Sequence, residues 1–63
     1  MKNKNLVEGI NIIAKYLDRD KYNFSAGHDQ IWFGDYGIVT KKDMVKLLEL
    51  DWFEDEDSWS AFF

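Results

Sequence analysis

Leu50-Asp51-Trp52-Phe53-Glu54-Asp55-Glu56-Asp57-Ser58-Trp59-Ser60-Ala61-Phe62-Phe63 places two aromatic runs around four consecutive carboxylates. The apolar runs need cover, whereas the carboxylates need water or a positive partner. The stretch therefore reads as a β-hairpin folded back onto a core. Its strands are Trp52-Phe53-Glu54 and Ser58 to Phe63, and its loop is roughly Asp55 to Asp57.

Working back from this hairpin, Thr40-Lys41-Lys42-Asp43 has N-cap spacing, with Asp43 a shorter substitute for the usual Glu. Met44, Leu47 and Leu48 then mark the apolar face of a helix reaching about Leu50. Further back, Tyr22-Asn23-Phe24-Ser25-Ala26 alternates apolar and polar residues, the period of a half-buried strand. Gly27-His28-Asp29 is a turn signal, and Gln30-Ile31-Trp32-Phe33 a second strand closed by Gly34-Asp35-Tyr36-Gly37. Nearest the start, Asn5 and Glu8 have capping-box spacing, and Leu6, Ile10, Ile13 and Leu17 recur at helical intervals. A first helix is expected from about Leu6 to Leu17, slightly weakened by Gly9.

The order α-β-β-α-β-β predicts one small α+β domain spanning 1–63. It would be an antiparallel sheet of up to four strands with two helices packed on it. Alternation puts Tyr22, Phe24, Ala26, Ile31, Phe33, Trp59, Ala61 and Phe63 on the core side. Trp32 and Phe62 then point the other way, together with one of Trp52 or Phe53. If both helices cover the first face, the second presents large aromatics, the mark of a contact surface. If one helix covers each face, nothing is exposed.

A chain of 63 residues is near the lower size limit for folding alone. It has no Cys for a disulfide or a thiolate metal site. Stability has to come from dense aromatic packing, for which three Trp, three Tyr and five Phe are present, or from self-association. Neither a signal peptide nor a membrane span is recognisable, and the cytoplasm is the expected location. The net charge is −4 and unevenly spread. Residues 1–48 hold eight basic and six acidic side chains, while residues 49–63 hold six acidic and no basic ones. Such a field disfavours direct binding to nucleic acid or anionic lipid.

His28 and Asp29 could exchange a proton or touch a metal, but no second His, Cys nucleophile or glycine-rich phosphate loop accompanies them. The run from Glu54 to Asp57 lacks the alternating ligands and central Gly of an EF-hand loop. No catalytic residue, metal site or cofactor is expected. The same carboxylates would attract a Lys/Arg-rich surface.

His28-Asp29-Gln30-Ile31-Trp32, followed by Trp52-Phe53 and then Asp55-Glu56-Asp57-Ser58-Trp59, resembles small uncharacterised proteins of bacteriophages and bacteria. These share an HD-x-I hairpin and an acidic-aromatic DED-x-W hairpin. The resemblance spans roughly Ala26 to Phe63. Asp51 departs from it where a helix-ending Gly is common. It implies a phage or mobile-element origin and a role in binding and modulating host machinery in the host cytoplasm, and it supplies no catalytic residue. The resulting expectation is a non-enzymatic interaction module that modulates or inhibits a host protein with a basic surface. Its binding residues would be Glu54, Asp55, Glu56 and Asp57, with Trp32, Phe53 and Phe62 as apolar anchors. The alternative is a structural homo-oligomer that pairs through the outer sheet face.

Overall fold

The computed structural model describes residues 3–18 and 24–63. Helix α1 (Asn3–Ala14) precedes strands β1 (Phe24–Gly27) and β2 (Gln30–Asp35). A 3-10 turn at Tyr36–Ile38 leads into helix α2 (Lys41–Glu49), and strands β3 (Phe53–Asp55) and β4 (Ser58–Phe62) complete the order. The fold is α+β, as expected. All four strands pair antiparallel in the order β1-β2-β4-β3. Two hairpins thus dock through their inner strands, β2 and β4, leaving β1 and β3 at the edges.

Each hairpin closes through two residues at positive φ: His28 (51°) and Asp29 (66°), then Glu56 (53°) and Asp57 (61°). This is the type I′ turn, whose twist matches that of paired strands. Gly27 belongs to β1 and pairs with Gln30 rather than forming the turn. Tyr22 and Asn23, expected in the first strand, lie outside the described residues.

Ile31 and Phe33 from β2 and Trp59 and Ala61 from β4 form one buried face. Ile13 of α1 and Leu47 of α2 join the same cluster, so both helices cover this side of the sheet. Phe24, Ala26 and Phe63 were expected in the core, but all three are exposed. Register places Phe24 on the buried face, opposite Phe33, and their rings meet edge-on at 5.9 Å. The β1 edge nevertheless lacks helical cover, because alternation sets which way a side chain points and not whether another layer reaches it.

Helix α2 ends in a Schellman motif. Trp52 N–H donates to the Leu47 carbonyl at 2.9 Å and Asp51 N–H to that of Leu48 at 3.1 Å. Asp51 takes the left-handed position, at φ 68°, where Gly is the usual residue. The motif swings Trp52 into the core, where it is 1% exposed, and strand alternation sends Phe53 to the opposite face. The Trp52 indole lies on the bare backbone of Gly9 and donates Nε1–H to the Asn5 carbonyl at 3.2 Å. A Cβ built on Gly9 would fall within 2.7 Å of three indole atoms. Asn5 is therefore inside α1 and not its cap, since a tertiary contact holds that turn in the helix. At the other end, Tyr16 and Leu17 N–H groups bond three residues back, to Ile13 and Ala14, tightening the chain before the expected end at Leu17.

Tyr16 completes the start of α2. The Thr40 hydroxyl accepts from Asp43 N–H at 3.2 Å, the expected half of the capping box. The other half is relayed: Thr40 N–H donates to the Tyr16 hydroxyl at 3.3 Å, and that hydroxyl donates to the Asp43 carboxylate. Lys15 Nζ stands 3.5 Å from the same carboxylate. The Tyr16 hydrogen bond holds the Asp43 carboxyl below its ordinary pKa of 3.8, aided by Lys15 and opposed by partial burial.

Two predictions follow from these contacts. Gly9→Ala should lower stability by about 1–3 kcal/mol despite the better helix propensity of Ala, because the added methyl overpacks the Trp52 seat; urea unfolding measures this. Because Asp43 has a depressed folded-state pKa, its contribution is present above pH 3.8 and is lost as pH falls through the folded-state value. Tyr16→Phe should therefore be less stable than the parent at neutral pH, with the gap narrowing in acid. A gap that is constant with pH would remove the Tyr16–Asp43 bond from the account.

Candidate outer-face binding site

The sheet face away from the helices is built on small residues. Ser58 and Ser60 of β4 lie between Trp32 of β2 and Phe53 and Asp55 of β3, since Trp32 and Phe53 both pair with Ser60 and Asp55 pairs with Ser58. Small side chains on the central strand let long neighbours reach across it. Trp32 Nε1–H donates to Asp55 Oδ2 at 2.9 Å, spanning β4. Gln30 Nε2–H donates to the same oxygen at 3.1 Å and to Ser60 Oγ at 2.7 Å. Ser60 in turn donates to the Ile31 carbonyl at 2.7 Å and is fully buried beneath this layer.

Beside the polar network, Phe53 and Phe62 stack with centroids 5.3 Å apart and planes at 34°. Phe53 is half-buried and Phe62 is 54% exposed. Trp32, Phe53 and Phe62 thus share the outer face, as alternation predicts, and Phe53 rather than Trp52 is the third aromatic.

The four carboxylates do not form a single patch. Asp55 lies on the outer face and is engaged by Trp32 and Gln30. Glu54 is one residue out of phase, pairs with Trp59, and accepts the Asp57 N–H at 2.9 Å through its own carboxylate. Glu56 and Asp57 occupy the turn and are exposed. Sequence reasoning missed Asp35. The register shifts between Trp32 and Asp35, a bulge in which Gly34 adopts φ 76° and approaches Ile13 of α1 so closely that a Cβ would lie 2.5 Å from Ile13 Cγ2. The shift pairs Asp35 with Ser58, in the same row as Asp55. The Gly34-Asp35 dipeptide was read as a turn, and only a bulge reading would have kept it in the strand.

An open groove of about 300 Å³ runs beside Trp32, lined by Ser25, Trp32, Glu56 and Ser58. His28 and Asp29 do not line it; both are exposed in the β1–β2 turn. Among the described residues no group of His, Cys, Asp or Glu is placed to hold a metal ion, and no helix is long and apolar enough to cross a membrane. Comparison with protein-family models, curated proteins and solved structures gives no match.

The Asp55 network generates a specific expectation. Asp55→Ala should release the Trp32 indole N–H and leave the Gln30 amide with one partner fewer. Exchange of the Trp32 side-chain N–H with solvent should accelerate, and stability should fall by about 1–2 kcal/mol. An unchanged exchange rate, read by NMR, would show that the carboxylate does not anchor the indole.

Proposed function

We propose that this chain is a non-enzymatic protein-interaction module whose outer sheet face and acidic turn dock a basic, partly apolar surface on another protein. The observation that carries the reading is the Phe53–Phe62 stack, with Phe62 exposed, set beside a hydrogen-bonded polar layer on a face that the helices leave bare. Aromatic side chains locked in place lose little freedom on binding and recur as interface anchors. The surrounding charge, from Asp55, Glu56 and Asp57, favours a cationic partner.

The resemblance of the HD-x-I and DED-x-W segments to phage and bacterial proteins supports a bacterial host protein as the target, modulated or inhibited by occupation of its basic surface. In this fold those segments supply turn residues (His28, Asp29, Glu56, Asp57) and core residues (Ile31, Trp59), which specify a shape and not a reaction.

The alternative is face-to-face pairing with a second copy, favoured by the exposure of Phe62. Physical chemistry weighs against it. The outer-face residues of the four strands include Asp35 and Asp55 and no basic side chain, so a second copy offers the face no opposite charge.

Affinity capture from bacterial lysate tests the first reading, using the parent chain, Phe62→Ser, and the triple variant Glu54→Lys, Glu56→Lys, Asp57→Lys. Asp55 is kept because it holds Trp32. A protein retained by the parent should be lost with both variants, and its retention should weaken with salt. The same proteins captured by all three chains would refute the reading, and a mass that doubles with concentration and reverts in Phe62→Ser would favour self-pairing.

A further inference from the structure

We propose that the groove beside Trp32 seats the guanidinium of an arginine side chain presented by a partner peptide. The inference rests on the outer face being a protein-binding surface, and it names the chemistry that this surface selects.

The Trp32 and Ser58 donors at the groove are already committed to partners within the fold. The only N–H of the Trp32 side chain is given to Asp55, so the indole edge has no donor left for a ligand. The Ser58 hydroxyl donates to the Gly34 carbonyl at 2.8 Å, which leaves only its lone pairs to face the groove. Glu56 is a carboxylate and accepts only. Of the lining residues Ser25 alone has a hydroxyl proton it can redirect. The groove is therefore a set of acceptors beside an aromatic ring, with no basic side chain among its lining residues. It asks for a donor-rich cation.

Shape narrows the choice. The volume, about 300 Å³, is at the lower end for ligand sites and suits one long side chain better than a cofactor. The indole is pinned across β4 by Asp55, and Gln30 lies toward the other end of its strand. Ser58, paired with Asp35, and Glu56 in the adjoining turn define the groove at the Asp35 end. A planar guanidinium can stack on the ring while its fork of N–H groups reaches Glu56 and the two serines. A lysine ammonium is compact and strongly hydrated, and satisfies fewer of these acceptors at once. Asp55, hydrogen-bonded to the indole, adds negative potential without lining the groove.

The test is an NMR titration of the isotopically labelled full chain with three end-blocked pentapeptides that differ only in a central Arg, Lys or citrulline. The Arg peptide should move the Trp32 side-chain N–H signal and the backbone amides of Ser25 and Ser58. The Lys peptide should bind about fivefold more weakly, and the uncharged citrulline peptide should not bind. Glu56→Gln should weaken the Arg peptide about fivefold, whereas Asp57→Asn, in the same turn but outside the groove, should change it less than about twofold. Glu56 is exposed in the turn, and Gln keeps its size and removes only the charge. Equal binding of Arg and Lys peptides, shifts confined to the acidic turn, or no shift at all would overturn the arginine seat. Those results leave the wider docking reading standing, because that reading is tested separately, by capture with the parent, Phe62→Ser and triple Lys chains and by the mass of the parent across concentration.

Discussion

The Trp52 indole rests on Gly9, and this contact joins the first helix to the residues that follow the second. Its backbone N–H closes the end of α2 and its side-chain N–H reaches α1. Its 1% exposure removes on the order of 200 Å² of aromatic surface from water, a contribution of about 5 kcal/mol. For a domain of this size that is comparable with the whole net stability. The arrangement tolerates no side chain at Gly9 and depends on the left-handed turn at Asp51, which aims the indole. Once Trp52 is fixed inward, Phe53 has to face outward and Glu54 inward at the sheet edge.

The second aromatic anchor works in the same way. Trp59 is fully buried, its indole N–H donates to the Tyr36 carbonyl at 3.1 Å, and its ring lies 4.7 Å from that of Tyr36. The 3-10 turn is thereby fastened to the centre of the sheet. The two buried tryptophans hold the helical layer on one side and so leave the other side to be finished by side chains alone. Serines at alternate positions of β4 make this feasible, because they let Trp32, Gln30 and Asp55 cross the strand and hydrogen-bond above it. The outer face is consequently a fixed layer with defined donors and acceptors, and the chemistry available to a partner is what those internal bonds leave over.

Much of this was readable one element at a time. Period-2 alternation identified the strands, Thr40 identified the start of α2, and the Gly27-His28-Asp29 and Asp55 to Asp57 signals located the turns to within one residue. Those signals come from interactions within a few residues. Burial at the sheet edges was not readable, and Phe24 and Phe63 have the right alternation without a covering layer. Asp35 was hidden by the Gly34 bulge, which looks like a turn until β4 is paired against it. Gly9 read as a flaw in a helix, and its reason is an indole 43 positions further along the chain. Asp55 read as one of four solvent-facing carboxylates, yet its partners come from a different hairpin.

The amino-acid order alone determined six elements, their sequence, two tight turns and the charge imbalance, because propensity, periodicity and capping act over short chain separations. The folded structure decided the strand order, the face given to Phe53, the removal of Asp55 from the acidic run and the groove beside Trp32. Each of these depends on which distant residue a side chain meets, and a hydrogen bond across β4 or a ring seated on a bare glycine leaves no local trace in the sequence.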